Sequence, residues 1–269
     1  MAGKSYLVTG STDGIGEHTA TLLAQAGAKV LLHGRSAVRL AETQARILQK
    51  CPDAQLFSFQ YDLSDIAETK RFCSDVLRTH TQLDGLVQNA GVFEDTFQTT
   101  TDGLEMTFAV NVAAPYIIAL LLLPLLRATP RSKILNVSSI SQGGSIVLDN
   151  LQFQKGGFNA HTAYSLSKLH MAAFSAELAL RITPDEALVM SCDPGTVNTK
   201  MLLAGWGECG IDVSVANDEF KLITRDFDPA AHGEYYVGGR KSVCARDVRD
   251  GRLRAGLWQE LARITGVSL

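Results

Sequence analysis

Short, continuous apolar runs alternate along this chain with longer stretches in which apolar residues recur every three or four positions. The runs Ser5–Thr9, Ala28–Leu32, Gln55–Phe59, Leu83–Gln88, Lys133–Ser138, Ala187–Cys192 and Tyr235–Val237 are predicted strands. Between them, helical spacing predicts Ile15–Ala26, Val38–Gln49, Ile66–His80, Thr101–Arg127 and His161–Arg181, with shorter helices at Val215–Ile223 and Arg252–Ile264. Strands that are apolar on both faces and joined by helices imply a parallel sheet covered on both sides. Right-handed crossovers then wind it into an α/β sandwich of about seven parallel strands. No proline-rich linker, low-complexity tract or internal repeat divides the chain, so one domain over 1–269 is expected. The least regular stretch is Thr196–Ser214, where Gly205, Gly207 and Gly210 surround Trp206. Lying past the sixth strand, it reads equally as a cover over a ligand and as a mobile surface loop.

Composition narrows the picture. At 269 residues and 46% hydrophobic, the chain can bury a large core. A net charge of −3 and the lack of any long Lys/Arg run give no electrostatic reason to expect nucleic acid. Five scattered cysteines, with no Cys-x-x-Cys, suit free thiols in a reducing compartment better than disulfides or a metal. A first strand by Ser5 leaves no room for a signal peptide. The longest apolar run, Tyr116–Leu126, is about half a membrane span and is interrupted by Pro124. A soluble, cytoplasmic protein with no integral membrane segment is expected.

Candidate chemistry begins at Thr9-Gly10-Ser11-Thr12-Asp13-Gly14-Ile15-Gly16, where the first strand turns into the first helix. Glycines there allow a tight turn and close approach of backbone N–H groups, and the helix N-terminus behind them favours a pyrophosphate. The second strand ends His33-Gly34-Arg35-Ser36, with a glycine where a ribose-binding acid would sit and an arginine able to fork onto phosphate. That favours NADP(H), with NAD(H) the alternative; Asp13 argues the other way, since a carboxylate opposes a 2′-phosphate. Further on, Tyr164 and Lys168 lie four residues apart on one face of a predicted helix. A charged lysine beside a phenol lowers the cost of forming phenolate, so the pair is expected to be tuned toward proton transfer near neutral pH. His161 reads as a helix-start residue, His33 as a flank of the nucleotide turn, and Trp206 as either a substrate wall or a packed aromatic.

Taken in order, these motifs resemble the short-chain dehydrogenase/reductase family, and its retinol-dehydrogenase-like branch in particular. Gly10, Ser11, Thr12, Gly14, Ile15 and Gly16 are similar to the family's Thr-Gly-x-x-x-Gly-x-Gly turn. Asp62-Leu63 resembles the pair near the adenine, and Asn89-Ala90-Gly91 the segment lining the cofactor. Asn111, Ser139, Tyr164 and Lys168 match the catalytic tetrad, while Pro194-Gly195 with Val197 and Thr199 matches the segment beside the nicotinamide. The resemblance implies a Rossmann-type fold and hydride transfer between an alcohol and an aldehyde or ketone, on a small or lipophilic substrate. Tyr164 would be the general acid/base and Lys168 would lower its pKa and hold the nicotinamide ribose. Ser139 would bind the substrate oxygen, and Asn111 would fix a water linking Lys168 to solvent. Substrate shape is expected to depend on Thr196–Ser214 and on the insert Gly143–Asn159.

The chain also departs from the branch. Gln88 replaces a frequent asparagine, Asp193 stands where histidine is common, and the N-terminal membrane segment of microsomal members is missing. A non-catalytic dinucleotide-binding protein responding to redox state is the rival reading, and intact Ser139, Tyr164 and Lys168 speak against it. Oligomeric state stays open.

Overall fold

Ser5–Val8, the first apolar run, lies wholly buried as strand β1 in the middle of the sheet in a computed structural model describing residues 1–269. The others are β2 (Lys29–Gly34), β3 (Gln55–Gln60), β4 (Gly85–Gln88), β5 (Lys133–Val137), β6 (Leu188–Asp193), β7 (Tyr235–Val237) and β8 (Arg240–Ser242). Their order across the sheet is β3-β2-β1-β4-β5-β6-β7-β8, and only β8 runs antiparallel to its neighbour. The continuous apolar runs are explained by burial on both faces. Leu7, Leu31 and Leu86 enter one core, while Tyr6, Val8, Val30, Leu32 and Val87 enter the other.

Helices α1 (Gly14–Gln25), α2 (Ala37–Lys50) and α8 (Asp218–Thr224) cover the smaller core. The larger is covered by α3 (Ile66–Thr79), α5 (Ala114–Arg127), α6 (Ala160–Arg181) and α9 (Gly251–Thr265). Side-chain caps mark several starts: Asp13 accepts from Gly14 N, Ser36 from Arg39 N and Asn159 from Thr162 N.

Three expectations are corrected. The predicted helix Thr101–Arg127 begins only at Met106, because Gly103 adopts φ 76° and Glu105 caps the helix with both carboxylate oxygens. That helix comprises α4 (Met106–Phe108), one π turn (Ala109–Ala113) and α5, and runs through Pro124 to Arg127, the predicted end. As one unit, Met106–Arg127 is long and apolar enough to cross a membrane by length and composition, yet it is buried in the core. An eighth strand follows the predicted seven: Gly238 and Gly239, at φ 57° and 71°, fold the chain back as a two-residue hairpin. Finally, the irregular stretch holds a helix, α7 (Lys200–Trp206).

Candidate active site

Beyond the carboxyl ends of β1 to β6 runs a cleft of about 610 Å³. Its floor at one end is the glycine turn. Gly10 and Gly14 sit at φ 65° and 53°, and a Cβ on Gly10 would lie 2.8 Å from the Ala90 Cα. The Asn89 side chain donates to Thr9 O and Gly10 O at 2.9 and 3.2 Å, so the segment after β4 braces the turn. From the other side, His33 Nδ1 accepts Gly10 N–H at 3.3 Å, and its Nε2 faces Tyr61 O at 3.2 Å. Burial pulls the His33 pKa down to about 4, so the neutral ring is the form that supports the turn.

The Asp13 conflict is resolved locally. Its carboxylate caps α1 and pairs with Arg39 at 2.8 Å and Lys200 at 2.7 Å. Partial burial opposes ionisation, but Lys200, the Gly14 N–H and Arg39 together hold the carboxyl below its ordinary pKa. Its charge is therefore offset by two cations beside the glycine turn.

At the other end of the cleft, Ser139, Tyr164 and Lys168 come together. Lys168 Nζ donates to Val137 O at 3.0 Å and lies 5.5 Å from the centre of the Tyr164 ring. Ser139 Oγ accepts Ser141 N–H at 3.0 Å. Asn111, in the π turn, stands behind them and is buried. Its Oδ1 accepts Val92 N–H at 2.8 Å, and its Nδ2 donates to Val92 O and to Ser167 Oγ. Ser167 in turn donates to Tyr164 O at 2.7 Å, tying the helix of Tyr164 to the loop after β4.

The titration of the pair differs from expectation. Burial, reinforced by the charge of Asp193, pushes the Tyr164 phenol up to about 12, and contact with Ser139 only partly offsets this. Burial pulls Lys168 down to about 8, against the opposing influence of Glu219, Cys192 and Asp193. Burial dominates, so the protein's own groups keep Tyr164 protonated at neutral pH.

The segment 196–214 closes one side of the cleft and is clasped at its base. Asn198 and Gly210 exchange two hydrogen bonds of 2.8 Å through the asparagine side chain. Backbone bonds join Asn198 N to Ile211 O and Ile211 N to Thr196 O. The tip is α7, which buries none of its residues. Trp206 reaches from it to rings of Phe93, His161 and Tyr164, with centroids 5.0, 5.0 and 5.3 Å away.

Most sequence-nominated residues border the cleft: Gly10, Thr12, Gly14, Ile15, Arg35, Asp62, Leu63, Asn89, Ala90, Gly91, Ser139, Tyr164, Lys168, Pro194, Gly195, Val197 and Thr199. Three lie behind it. The Ser11 hydroxyl is bonded to the His33 backbone, Gly16 is packed against Asn89 and Gly10, and Asn111 holds Val92. The insert 143–159 does not border the cleft; Ile146 and Leu151 belong to the larger core, and Phe153 and Phe158 pack on each other. Arg39 borders it and was not foreseen, while Lys200, Met201 and Leu202 border it as part of the stretch 196–214 read as a candidate cover. Phe93, in ring contact with Tyr164, was missed as well. The Asp13–Lys200 pair could be suspected only once the cover was known to return across the glycine turn.

Known proteins resemble this chain in sequence and in fold. The family model for short chain dehydrogenases matches residues 4–205. Human retinol dehydrogenase 13 is 28% identical over 284 residues, covering 99% of this chain and 86% of that protein. Mouse retinol dehydrogenase 11 is 37% identical over 203 residues, covering 75% of this chain and 64% of that protein. Among solved structures, an uncharacterized protein from Mycobacterium Paratuberculosis superposes with a TM-score of 0.80 at 22% identity, over 99% of this chain and 95% of that one. A short chain dehydrogenase from Escherichia coli, complexed with NADPH, gives 0.74 at 22% identity over 88% and 97%. The chain belongs to the short-chain dehydrogenase/reductase family, in its retinol-dehydrogenase-like branch, and is an NAD(P)-dependent oxidoreductase acting on CH–OH groups.

Proposed function

We propose that this protein is a single-domain, cytoplasmic, NADP(H)-dependent reductase that converts an aldehyde or ketone to an alcohol, with Tyr164 as the acid. The observation that carries this reading is the convergence of Ser139, Tyr164 and Lys168 in the same cleft as the glycine turn. The cofactor supplies the hydride when bound; the protein supplies orientation and a proton. Gly10, Thr12, Gly14 and Ile15 would receive the pyrophosphate, Arg35 the 2′-phosphate, and Asp62 and Leu63 the adenine. Arg39 is a second candidate for the 2′-phosphate because its partner Asp13 lies in the same turn. Asn89, Ala90, Gly91, Pro194, Gly195, Val197 and Thr199 would border the nicotinamide half. NADPH in the Escherichia coli structure is consistent with this choice.

In reduction, hydride adds to the carbonyl carbon while the Tyr164 O–H bond breaks and its proton passes to the carbonyl oxygen. Ser139 donates to that oxygen as charge develops there. The phenolate left behind regains a proton from solvent, and Lys168 stabilises it meanwhile. A protonated phenol at neutral pH is the form this direction requires. Asn111 Oδ1 and Lys168 Nζ would lie 3.3 and 3.6 Å from a Cβ placed on Gly91, so both face the same space beside that glycine. A water there would link Lys168 to solvent. The segment 196–214 would cover the substrate, with Trp206 and Phe93 as apolar walls.

The direct test measures NADPH oxidation by purified protein against benzaldehyde, cyclohexanone, octanal and similar carbonyls. Tyr164→Phe should lose activity by a factor on the order of 10² or more while still binding NADPH. Undiminished turnover in that variant would remove Tyr164 from the proton-transfer role.

A further inference from the structure

Asp193 is the last residue of β6, only 4% exposed although it borders the cleft. Its two carboxylate oxygens serve different loops. Oδ2 accepts Ile140 N–H at 2.8 Å, immediately after Ser139, and Oδ1 accepts Gly195 N–H at 2.9 Å. It forms no ion pair with any lysine or arginine. A buried carboxylate satisfied by two amide dipoles alone keeps most of its field directed at its neighbours. We propose that Asp193 is a positioning residue of this site, strapping the Ser139 loop to the Pro194–Gly195 loop and setting its field against ionisation of the Tyr164 phenol.

This inference rests on the role given to Tyr164 above. Reduction consumes a proton held by the phenol, whereas oxidation of an alcohol needs the phenolate to take one. A carboxylate beside the site opposes formation of that phenolate, in line with the upward push that Asp193 adds to burial at Tyr164, so oxidation from the protonated resting state needs a higher pH. The other groups around the phenol act in both directions. Lys168 approaches on the same helix, but burial pulls it toward neutrality, with Glu219 from α8 acting against that pull. The Cys192 thiol, beside Asp193 in β6, is pushed up and stays neutral. His161 lies one turn before Tyr164, and Lys200 and Cys209 reach the cleft from the cover, Lys200 being paired with Asp13.

The two functions of Asp193 separate by substitution. Asp193→Asn removes the charge and leaves one acceptor oxygen for two N–H groups; Asp193→Glu keeps the charge. The readout is the ultraviolet signal of tyrosinate, titrated in the full chain with Tyr164→Phe as the blank. The pH profile of NADP⁺-dependent oxidation of benzyl alcohol and cyclohexanol is measured in parallel. In Asp193→Asn the Tyr164 midpoint should fall by about one pH unit, giving roughly tenfold more tyrosinate at a given pH. The rising limb of the oxidation profile should move by the same amount. Asp193→Glu should stay within a few tenths of a unit of the original. An unchanged midpoint in folded Asp193→Asn, or equal shifts in both variants, overturns the proposal. If Asp193→Asn does not fold, another variant decides. A second charge-removing variant, Asp193→Ser, is then titrated: a Tyr164 midpoint about one pH unit lower upholds the field effect, and an unchanged midpoint overturns it. Failure of the hydride-transfer reading would appear as no turnover at all and would leave the spectroscopic titration intact.

Discussion

Protonating His33 would remove the acceptor on which Gly10 N–H rests and place a charge against the ring of Phe72, 4.7 Å away. Its pKa falls from 6.5 to about 4 on folding, so between those values the unfolded chain binds the proton and the folded protein does not. Stability from this residue is therefore complete above pH ~6.5 and is lost progressively as pH falls toward 4, by up to about 3 kcal/mol. Urea denaturation at neutral pH and at pH ~4.5 should show a smaller loss in His33→Gln than in the unsubstituted protein. Sequence spacing located His33 beside the turn but not its function, because a histidine at a strand end has no local mark of which nitrogen accepts what. Ser139, Tyr164 and Lys168 were legible because their order along the chain is itself a pattern. Arg39 and Phe93 were not, since each is an ordinary helix or loop residue until the fold brings a partner to it.

The cover shows what element-level reading can miss. Three glycines around one tryptophan suggest irregular chain, yet Thr199 caps α7 by accepting Leu202 N–H, and the clasp at Asn198–Gly210 fixes its base. Gly210 is required there by space: a Cβ would lie 2.6 Å from Thr196 O, a backbone atom that cannot swing away. Gly210→Ala should loosen the clasp, lower kcat/KM on the order of tenfold or more, and make the segment more sensitive to protease. Thermal stability should change little, because α7 buries nothing. Comparing steady-state kinetics, limited proteolysis and melting temperature tests all three. Elsewhere, apolar periodicity gave helix existence well and ends poorly. The overshoot to Thr101 came from ignoring Gly103 and the cap at Glu105. The missed β8 is three exposed polar residues, Arg-Lys-Ser, paired with β7 through a Gly-Gly turn and carrying no apolar signal of its own.

At the scale of the molecule, the cleft sits where strand order reverses between β1 and β4, so a bound dinucleotide would touch both halves of the sheet. Binding should therefore stabilise the whole fold, by about 2.7 kcal/mol at a hundredfold excess over Kd, seen as a rise of several degrees in melting temperature. At equal concentrations NADPH should raise it more than NADH, and Arg35→Ala should narrow that difference. Equal effects of the two cofactors on the unsubstituted protein would argue against a 2′-phosphate site at Arg35.

The helix Met106–Arg127 takes its covering from far along the chain. Tyr116 packs between Phe174 and Trp258, with centroids 5.6 and 5.1 Å away, and its hydroxyl donates to Val267 O at 3.0 Å. On the ribosome, a membrane-length apolar segment therefore emerges long before the residues that will enclose it. Until Trp258 and Val267 have been synthesised, the nascent chain presents to chaperones and targeting factors the very surface that the finished protein hides.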